Sequence, residues 1–209
     1  MLAKEFEIGV MLHHPNIVHI IGKEIDPVVG PCIVMEYIDG RNLNDYLREG
    51  GRLRHVHKII LQILAGLEYM HNKQVIHRDL KQENILITRR GDNVKIIDFG
   101  LSDTESFDFY KSISGNSNHM VPEVYEPGCI TDCRSDLYSF GRLLKCFGKK
   151  YLYISHKCLR TDSKNRFRSA KSIIAFIRWR HAIMISILVI VLFEIFVLLN
   201  VLFLTSYCR

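Results

Sequence analysis

The sequence predicts an α+β fold, in which short strands and a mainly helical region build one domain and a long apolar segment ends the chain. Apolar residues recur at three- and four-residue spacing between Ile59 and Met70, which is the period of an amphipathic helix. β-Rich runs bounded by Gly, Pro, Asp and Asn lie before and after that helix. The polar stretches between these elements are loops of the kind that commonly carry catalytic groups. This order of elements is typical of the α+β class.

Two kinds of element precede the long helix. The segment from Leu2 to Leu12 has apolar residues at helical spacing, and it predicts a short helix that stops before Pro15. The runs "IVHIIG" and "CIVMEYI" predict two strands, because the turn-forming "DPVVGP" separates them.

After the long helix, "ENILIT" and "NVKIIDF" predict a second pair of strands, joined by the hairpin turn "RRGDN". The polar stretch "SDTESFDFYKSISGNSNH" then predicts a loop. Beyond Pro122 the helical pattern returns.

The length and composition allow one folded domain with a small addition. The chain has 209 residues, of which 48% are hydrophobic and 24% are charged, which excludes a disordered chain. The formal net charge is +6, but the basic residues are scattered and are not interleaved with aromatic residues, so we expect no nucleic acid partner. The six cysteines are also spread out, and the pair Cys129 and Cys133 gives only weak support for a metal site.

The segment from Ile183 to Leu204 predicts a single transmembrane helix. Its 22 residues form about 33 Å of helix at roughly 1.5 Å per residue, which matches a bilayer. Eighteen of the 22 are Leu, Ile, Val or Phe, and their insertion energy outweighs the cost of one charged Glu194. The alternative is a buried core helix, although a helix that is apolar all round at a chain terminus is rarely one.

The flanks of this segment predict its orientation. The basic residues lie mostly before it: Lys171, Arg178 and Arg180 precede the segment, and Arg209 follows it. Because the positive side stays cytoplasmic, we expect a single-pass membrane protein with a C-terminal anchor and its folded domain in the cytosol. Glu194 and Asn200 either mark self-association between such helices or are tolerated alone by snorkelling or protonation.

The loop "VIHRDLKQEN" carries the groups that phosphoryl transfer needs. That chemistry requires a carboxylate near the attacking hydroxyl, oxygen ligands for Mg²⁺ and a cation against the developing charge. Asp79, Lys81 and Asn84 supply these groups in one short loop, and Asp98 in "IIDFG" adds a second carboxylate. We therefore expect these four residues to be catalytic, with Asn84 and Asp98 as the metal ligands.

The same residues resemble the signatures of the eukaryotic-type protein kinase family. His77-Arg78-Asp79-Leu80-x-x-x-Asn84 and Asp98-Phe99-Gly100 match its catalytic-loop and D-F-G motifs, in order and 14 residues apart. The resemblance extends from about Lys4 to Ile174. It implies a protein-kinase-like fold, ATP and Mg²⁺ as cofactors and a protein substrate. Lys81, two residues after Asp79, implies serine/threonine specificity.

The resemblance also assigns residues to the nucleotide. Glu5 stands at the position of the glutamate that pairs with the nucleotide-anchoring lysine, with Glu7 as a near alternative. The stretch "VMEYIDGRNL" resembles the hinge, with Met35 as its gatekeeper. The other implied contacts are the backbone groups of Glu36 and Ile38 for adenine, Asn42 near the ribose, and Leu86 beneath the adenine.

Further residues are implied as braces or as control points. Val121-Pro122-Glu123 stands for the A-P-E motif, and Arg166 matches the arginine that pairs with its glutamate. Asp136 matches the aspartate that braces the catalytic loop. Arg78 implies control by a phosphate on the activation segment, for which the candidate acceptors are Ser102, Thr104, Ser106, Ser112 and Ser114.

The sequence departs from the family pattern in its nucleotide-binding part. No G-x-G-x-x-G stretch and no V-A-I-K lysine precede Glu5, so we expect an N-terminally truncated domain. The expected parts are an incomplete N-lobe at residues 1–38, a C-lobe at 39–176, and a basic flank with a transmembrane anchor at 177–209. Two functions stay open: a membrane-anchored serine/threonine kinase, and a catalytically impaired pseudokinase that acts as a scaffold. A small-molecule kinase fits less well, because "VPE" resembles peptide-directed kinases.

Overall fold

The computed structural model describes residues 2–51, 55–104 and 132–207. The chain divides into two compact units, Met1–Ser172 and Ile173–Arg209. Within the described part of the first unit, small antiparallel sheets come early in the chain and helices dominate later. The α+β prediction is therefore confirmed.

Helix α1 and the sheet that follows it form the first part of the chain. Helix α1 spans Leu2–Val10 and packs against strand β1, Ile20–Asp26. Strand β1 pairs antiparallel with β2, Gly30–Met35. Their turn is closed by the Asp26 carboxylate, which accepts the N–H groups of Val28 and Val29. Both strands and the turn between them were expected from the sequence.

The predicted start of β1 is wrong by three residues. The run "IVHIIG" begins at Ile17, whereas β1 begins at Ile20 and continues to Asp26. Ile17 instead forms an isolated parallel bridge with Ile96, and the Val18 N–H donates to the Ile96 carbonyl at 2.9 Å. A pairing across almost eighty residues therefore takes the first part of the run away from the hairpin.

A second sheet holds three short strands in the order β3, β5, β6. Their bounds are Gly40–Asn42 for β3, Ile85–Thr88 for β5 and Val94–Ile96 for β6. Both pairings are antiparallel, and the register places Asn42 opposite Leu86 and Leu86 opposite Lys95. Strands β5 and β6 are the hairpin that the sequence predicted. A third pair joins β4, Val75–Ile76, to β7, Asp103–Thr104.

The helices of the first unit carry most of its core. Their bounds are Leu43–Arg48 for α2, Val56–Asn72 for α3, Arg134–Leu144 for α4 and Leu152–Cys158 for α5. Helix α3 buries the apolar stripe that the sequence predicted: Ile59, Ile60, Ile63, Leu64, Leu67 and Met70. Short 3₁₀ turns span Gln82–Asn84, Lys145–Phe147, Lys149–Tyr151 and Ser163–Asn165.

One buried cluster joins α1, the first sheet and the segment after β6. Its buried members are Ile8, Leu12, Ile17, Val18, Ile20, Met70, Val75 and Phe99. Phe99 is 1% exposed, and a Cβ on Gly9 would lie 3.4 Å from its ring. The position of the D-F-G segment is thus set by apolar packing against α1.

The last helix, α6, spans Ala170–Tyr207. Within the described residues it is long enough and apolar enough to cross a membrane, by length and composition. Its large apolar side chains between Ile183 and Leu199 are exposed, by 37% to 66%. The predicted long apolar C-terminal helix is therefore present.

Candidate active site

The buried carboxylate of Asp136 holds the start of the loop "VIHRDLKQEN". Its Oδ2 atom accepts the backbone N–H of His77 at 2.9 Å, and its Oδ1 atom accepts that of Arg78 at 2.9 Å. Oδ2 also accepts a hydrogen bond from His71 Nε2 at 2.8 Å. Since Asp136 is the third residue of α4, this helix fixes the conformation of a loop nearly sixty residues earlier. The predicted brace is present.

The side chain of His77 links the loop to the D-F-G segment. Its Nδ1 atom accepts the backbone N–H of Asp79 at 3.3 Å, and its Nε2 atom donates to the carbonyl of Ile97 at 3.2 Å. Its ring meets the edge of the Phe99 ring at a centroid distance of 5.9 Å. His77 is fully buried, so one imidazole fixes both segments that carry the candidate catalytic carboxylates.

Asp79, Lys81 and Asn84 form one hydrogen-bonded group. Lys81 Nζ lies 2.5 Å from Asp79 Oδ2, and Asn84 Nδ2 donates to the same oxygen at 2.9 Å and to the Asp79 carbonyl at 2.9 Å. The hydrogen bond to Asp79 is the main reason why the pKa of Lys81 is raised; Asp98 and Glu83 add to it. The Asp79 carboxylate is therefore held between a cation and an amide.

Asn84 has a side-chain oxygen of the type that binds Mg²⁺. It is buried at the end of the turn Gln82–Asn84, and both hydrogen bonds of its side chain use the Nδ2 atom. No hydrogen bond among the described residues uses its Oδ1 atom. An amide oxygen is a ligand that Mg²⁺ accepts in proteins. Asn84 and the carboxylate of Asp98 thus fit a hard divalent cation.

The charge of Asp98 acts on both Lys81 and Glu5. Its backbone has a positive φ of 68°, and its Oδ1 atom accepts the N–H of Gly100 at 3.1 Å. The charge of Asp98 raises the pKa of Lys81 and that of Glu5. For Glu5, burial raises the pKa most, and the carboxylate also accepts the backbone N–H of Phe99. The structure therefore brings Glu5 to the D-F-G segment.

The expected hinge residues are tied to β6. The Glu36 carboxylate accepts hydrogen bonds from Lys95 Nζ at 2.6 Å and from the His19 N–H at 2.8 Å. Burial opposes ionisation of Glu36, but the contacts with Lys95 and His19 lower its pKa overall. Ile38 packs against the buried cluster, and in the described chain its N–H donates to no backbone carbonyl.

Asn42 and Leu86 lie on the same face of the second sheet. They are directly opposite each other in the register of β3 and β5, and Lys95 is the next residue across. The residues on either side of Leu86 in β5, Ile85 and Ile87, are buried on the other face. Asn42 already has a structural partner, because it caps α2: its Oδ1 accepts the Asp45 N–H at 2.8 Å.

The nine predicted site residues therefore fall into two groups. The first surrounds the loop and the D-F-G segment and contains Asp79, Lys81, Asn84, Asp98 and Glu5. The second is organised by the hinge and the second sheet and contains Glu36, Ile38, Asn42 and Leu86.

The sequence reasoning missed two residues that organise these groups, His71 and Lys95. Their partners Asp136 and Glu36 are 65 and 59 residues away along the chain. A partner at that separation leaves no local spacing pattern. A weak signal does exist for His71, because it directly follows Met70, the last residue of the apolar stripe of α3.

Other predicted contacts lie outside the described residues. They involve Val121-Pro122-Glu123 and the candidate phosphorylation sites Ser106, Ser112 and Ser114. Arg166 is described, and it is 3% exposed. Its guanidinium donates to the carbonyls of Arg134, Arg160 and Thr161 at 2.8 to 3.2 Å.

Comparison with known proteins identifies the family to which this site belongs. The sequence model of the protein kinase domain matches residues 1–186. The chain belongs to the protein kinase family. Its catalytic-loop and D-F-G motifs therefore stand in the fold in which the family carries them.

Individual relatives of this kinase chain are serine/threonine and dual specificity kinases. The chain is 36% identical over 151 residues to a probable serine/threonine-protein kinase of Streptomyces coelicolor. The aligned region covers 68% of the chain and 22% of the relative. The chain is also 36% identical over 146 residues to a probable serine/threonine-protein kinase of Clostridium perfringens, with 68% and 21% covered. A dual specificity protein kinase of Dictyostelium discoideum is 38% identical over 141 residues, with 66% and 10% covered. The chain thus spans about a fifth or less of the length of these relatives.

Proposed function

We propose that this kinase chain transfers the γ-phosphate of ATP to serine or threonine hydroxyls of a protein substrate. The observation that carries the proposal is the Asp79 carboxylate, which Lys81 and Asn84 hold in one orientation at 2.5 and 2.9 Å. A carboxylate fixed in this way is suited to orient an attacking hydroxyl and to take its proton.

The reaction assigns one task to each residue of the loop. As the substrate oxygen bonds to the γ-phosphorus, its proton passes to Asp79 and the bond to the leaving ADP breaks. Lys81, whose raised pKa keeps it charged, offsets the negative charge on the transferred group. Asn84 Oδ1 and the Asp98 carboxylate would hold Mg²⁺, which supplies charge neutralisation on the phosphates when bound.

The second group of residues is proposed to hold the nucleoside. The Ile38 N–H and the Glu36 carbonyl would pair with adenine, and Leu86 would pack beneath it. The Glu36–Lys95 pair supports this role, because it fixes the backbone of the hinge against β6. Asn42 would contact the ribose through the face that it shares with Leu86.

One observation favours the second function, a pseudokinase scaffold. The charge of Asp98 raises the pKa of Glu5, so two carboxylates act on the region proposed for the triphosphate. In the family a lysine pairs with the glutamate at this position and with the phosphates. If no cation besides Lys81 offsets these two carboxylates, their negative charge would weaken ATP binding.

We further propose that α6 anchors the chain in a membrane, with residues 177–209 as the anchor and the kinase part on the cytoplasmic side. Its length, its composition and the exposed apolar side chains from Ile183 to Leu199 support this proposal. The basic residues before the apolar run support the orientation. Glu194 and Asn200 are proposed contacts for self-association between two such helices.

Mg·ATP binding by the full chain in detergent micelles tests the catalytic proposal. We expect wild type to bind ATP at micromolar to sub-millimolar concentration and to phosphorylate a mixture of acceptor proteins. Asp98→Asn should lose Mg²⁺-dependent binding, whereas Asp79→Asn should keep binding and lose turnover by about 10²- to 10⁴-fold. Asp162→Asn is the matched control, because this exposed aspartate caps a turn in the helical part. No binding by folded wild type would favour the scaffold.

A further inference from the structure

The net positive charge of the chain is concentrated just before its apolar run. Residues 142–180 contain twelve Lys and Arg and a single acidic residue, Asp162. The formal net charge of the whole chain is only +6, so the remainder is negative by five charges. With twelve basic residues and one acidic residue, this segment has a net charge of +11, which exceeds that of the whole chain.

Within this segment, basic and aromatic side chains line an open groove of about 590 Å³ on the kinase unit. The lining residues, which we call the basic groove, are Tyr153, His156, Lys157, Arg160 and Asn165. The first four recur at three- and four-residue spacing along α5 and the residues just after it. The opposite face of α5 buries Ile154, Ser155 and Cys158. The stripe is therefore a surface of the helix, separate from its core face.

The acidic residue of the segment does not neutralise this groove. The Asp162 carboxylate caps the turn that follows α5: Oδ1 accepts the Lys164 N–H at 2.8 Å, and Oδ2 accepts Asn165 Nδ2 at 3.2 Å. Lys157 Nζ lies 4.5 Å from the centre of the Phe167 ring, which positions the ammonium without cancelling its charge. The described groups at the groove thus present positive charge and hydrogen-bond donors, which is the chemistry that binds a phosphate.

We infer that the basic groove binds the phosphate of anionic phospholipid headgroups in the bilayer that α6 enters. This inference rests on the anchoring proposed above. Arg160 precedes Ile183 by only 23 residues, so an anchored chain keeps the groove at a high effective concentration near the headgroups. Basic segments next to a membrane span are attracted to anionic lipid surfaces. Lipid composition would then set how closely this face of the kinase unit lies on the membrane.

The test uses the full chain in nanodiscs and reads the acylation rates of Lys157 and Lys164 by mass spectrometry. One set of discs is neutral phosphatidylcholine, and the other contains about 30 mol % phosphatidylserine. Protease protection of the apolar part of α6 reports insertion in both sets. The variant Lys157→Gln with Arg160→Gln removes two charges from the groove. Its matched control, Arg89→Gln with Arg90→Gln, removes two exposed charges from the β5–β6 turn.

We expect both lysines to be acylated at least several-fold more slowly in the anionic discs. The protection should disappear near 1 M salt, where the Debye length is about 3 Å. The groove variant should lose the protection of Lys164, with surface association weakened by about tenfold or more, and the turn variant should keep it.

Four results would overturn the inference. Equal acylation in the two sets of discs, with α6 inserted, would reject lipid binding and leave the anchoring intact. Equal protection of the groove and turn variants would reject the groove as the site. Protection in neutral discs by free inositol phosphate, without protection in anionic discs, would assign the groove to a soluble phosphate. Failure of α6 to insert in any disc would overturn the anchoring itself and, with it, this inference.

Discussion

The Nε2 atom of His71 lies 2.8 Å from the Oδ2 atom of Asp136, and this contact joins the end of α3 to the start of α4. The same carboxylate accepts the backbone N–H groups of His77 and Arg78. Two helices and the catalytic loop therefore meet at one buried charge.

Removal of the charge at Asp136 should destabilise the fold in a pH-dependent way. Burial by itself would raise the pKa of Asp136, but the hydrogen bond and charge of His71, followed by the contacts with His77, lower it. The folded pKa is therefore below the unfolded value of about 3.9, so the carboxylate stabilises the fold above that pH and this stabilisation is lost as the pH falls through the folded pKa. Asp136→Asn should lower the free energy of unfolding by about 3–5 kcal/mol at pH 7.

Denaturant unfolding of wild type and Asp136→Asn at several pH values between 7 and 3 measures this effect. The difference in the free energy of unfolding between the two proteins should shrink once the pH falls below the pKa of the carboxyl in the unfolded state. Asp162→Asn is the control, because the exposed cap should change stability by less than about 1 kcal/mol at every pH. A difference that stayed constant down to the acid limit would contradict the role of the Asp136 charge.

Two substitutions at Asn42 should separate capping from nucleotide binding. The Asn42 side chain caps α2 through the Asp45 N–H. Serine is also a good cap, so Asn42→Ala should cost about 1 kcal/mol of stability, whereas Asn42→Ser should cost little. If Asn42 also contacts the ribose, ATP affinity measured by calorimetry should fall in both variants. Unchanged affinity in a stable Asn42→Ser protein would show that the residue is only a cap.

A methyl group at Gly141 should disturb the packing of α4 on α5. A Cβ at this position would lie 2.6 Å from Cys158 Cβ, closer than such atoms pack, and a tight 3.2 Å from the Ser155 carbonyl oxygen. The higher helix propensity of alanine should stabilise the fold by about 1 kcal/mol, but overpacking should destabilise it by about 1–3 kcal/mol. Gly141→Ala should therefore lower the free energy of unfolding. Gly22→Ala is the control, because a Cβ there meets nothing within 4 Å. Equal melting temperatures for the two variants would refute the clash.

Alkylation of cysteines should distinguish the interior from the surface of the kinase unit. Burial raises the pKa of the Cys158 thiol to about 12, and this residue is 0% exposed. Since the thiolate is the reactive form, Cys158 should resist iodoacetamide at pH 8 until the protein unfolds. Cys146 is exposed and should react in the native state. Peptide mass spectrometry measures the labelling rate of each residue. Similar rates for Cys158 and Cys146 in native protein would argue against this packing.

Local patterns predicted the elements that depend on nearby residues. The buried stripe of α3 and the β5–β6 hairpin follow from spacing and turn chemistry within about twenty residues. The start of β1 was wrong because Ile17 pairs with Ile96, a contact that no local pattern encodes. Helix α2 was not predicted, although Asn42 and Asp45 have the spacing of an N-cap and its partner.

The same division applies to the site. Asp79, Lys81, Asn84 and Asp98 were predicted because their residue types and spacing form motifs. Lys81 and Asn84 both donate hydrogen bonds to Asp79. His71 and Lys95 were not predicted, because each acts on a residue that the chain brings to it only on folding. The assignment of the predicted site residues to catalysis and nucleotide binding stays a prediction that the variants above test.

The register of the second sheet limits how this protein can change by insertion. Asn42, Leu86 and Lys95 share one face only because their strands pair without a slip. One extra residue inside β5 would exchange the two faces of this strand. Leu86 would then point into the core, and Ile85 and Ile87 would point outward. An extra residue in the turn between β5 and β6 would leave both strands in place. Natural length variation is therefore expected in that turn and should be absent from β5.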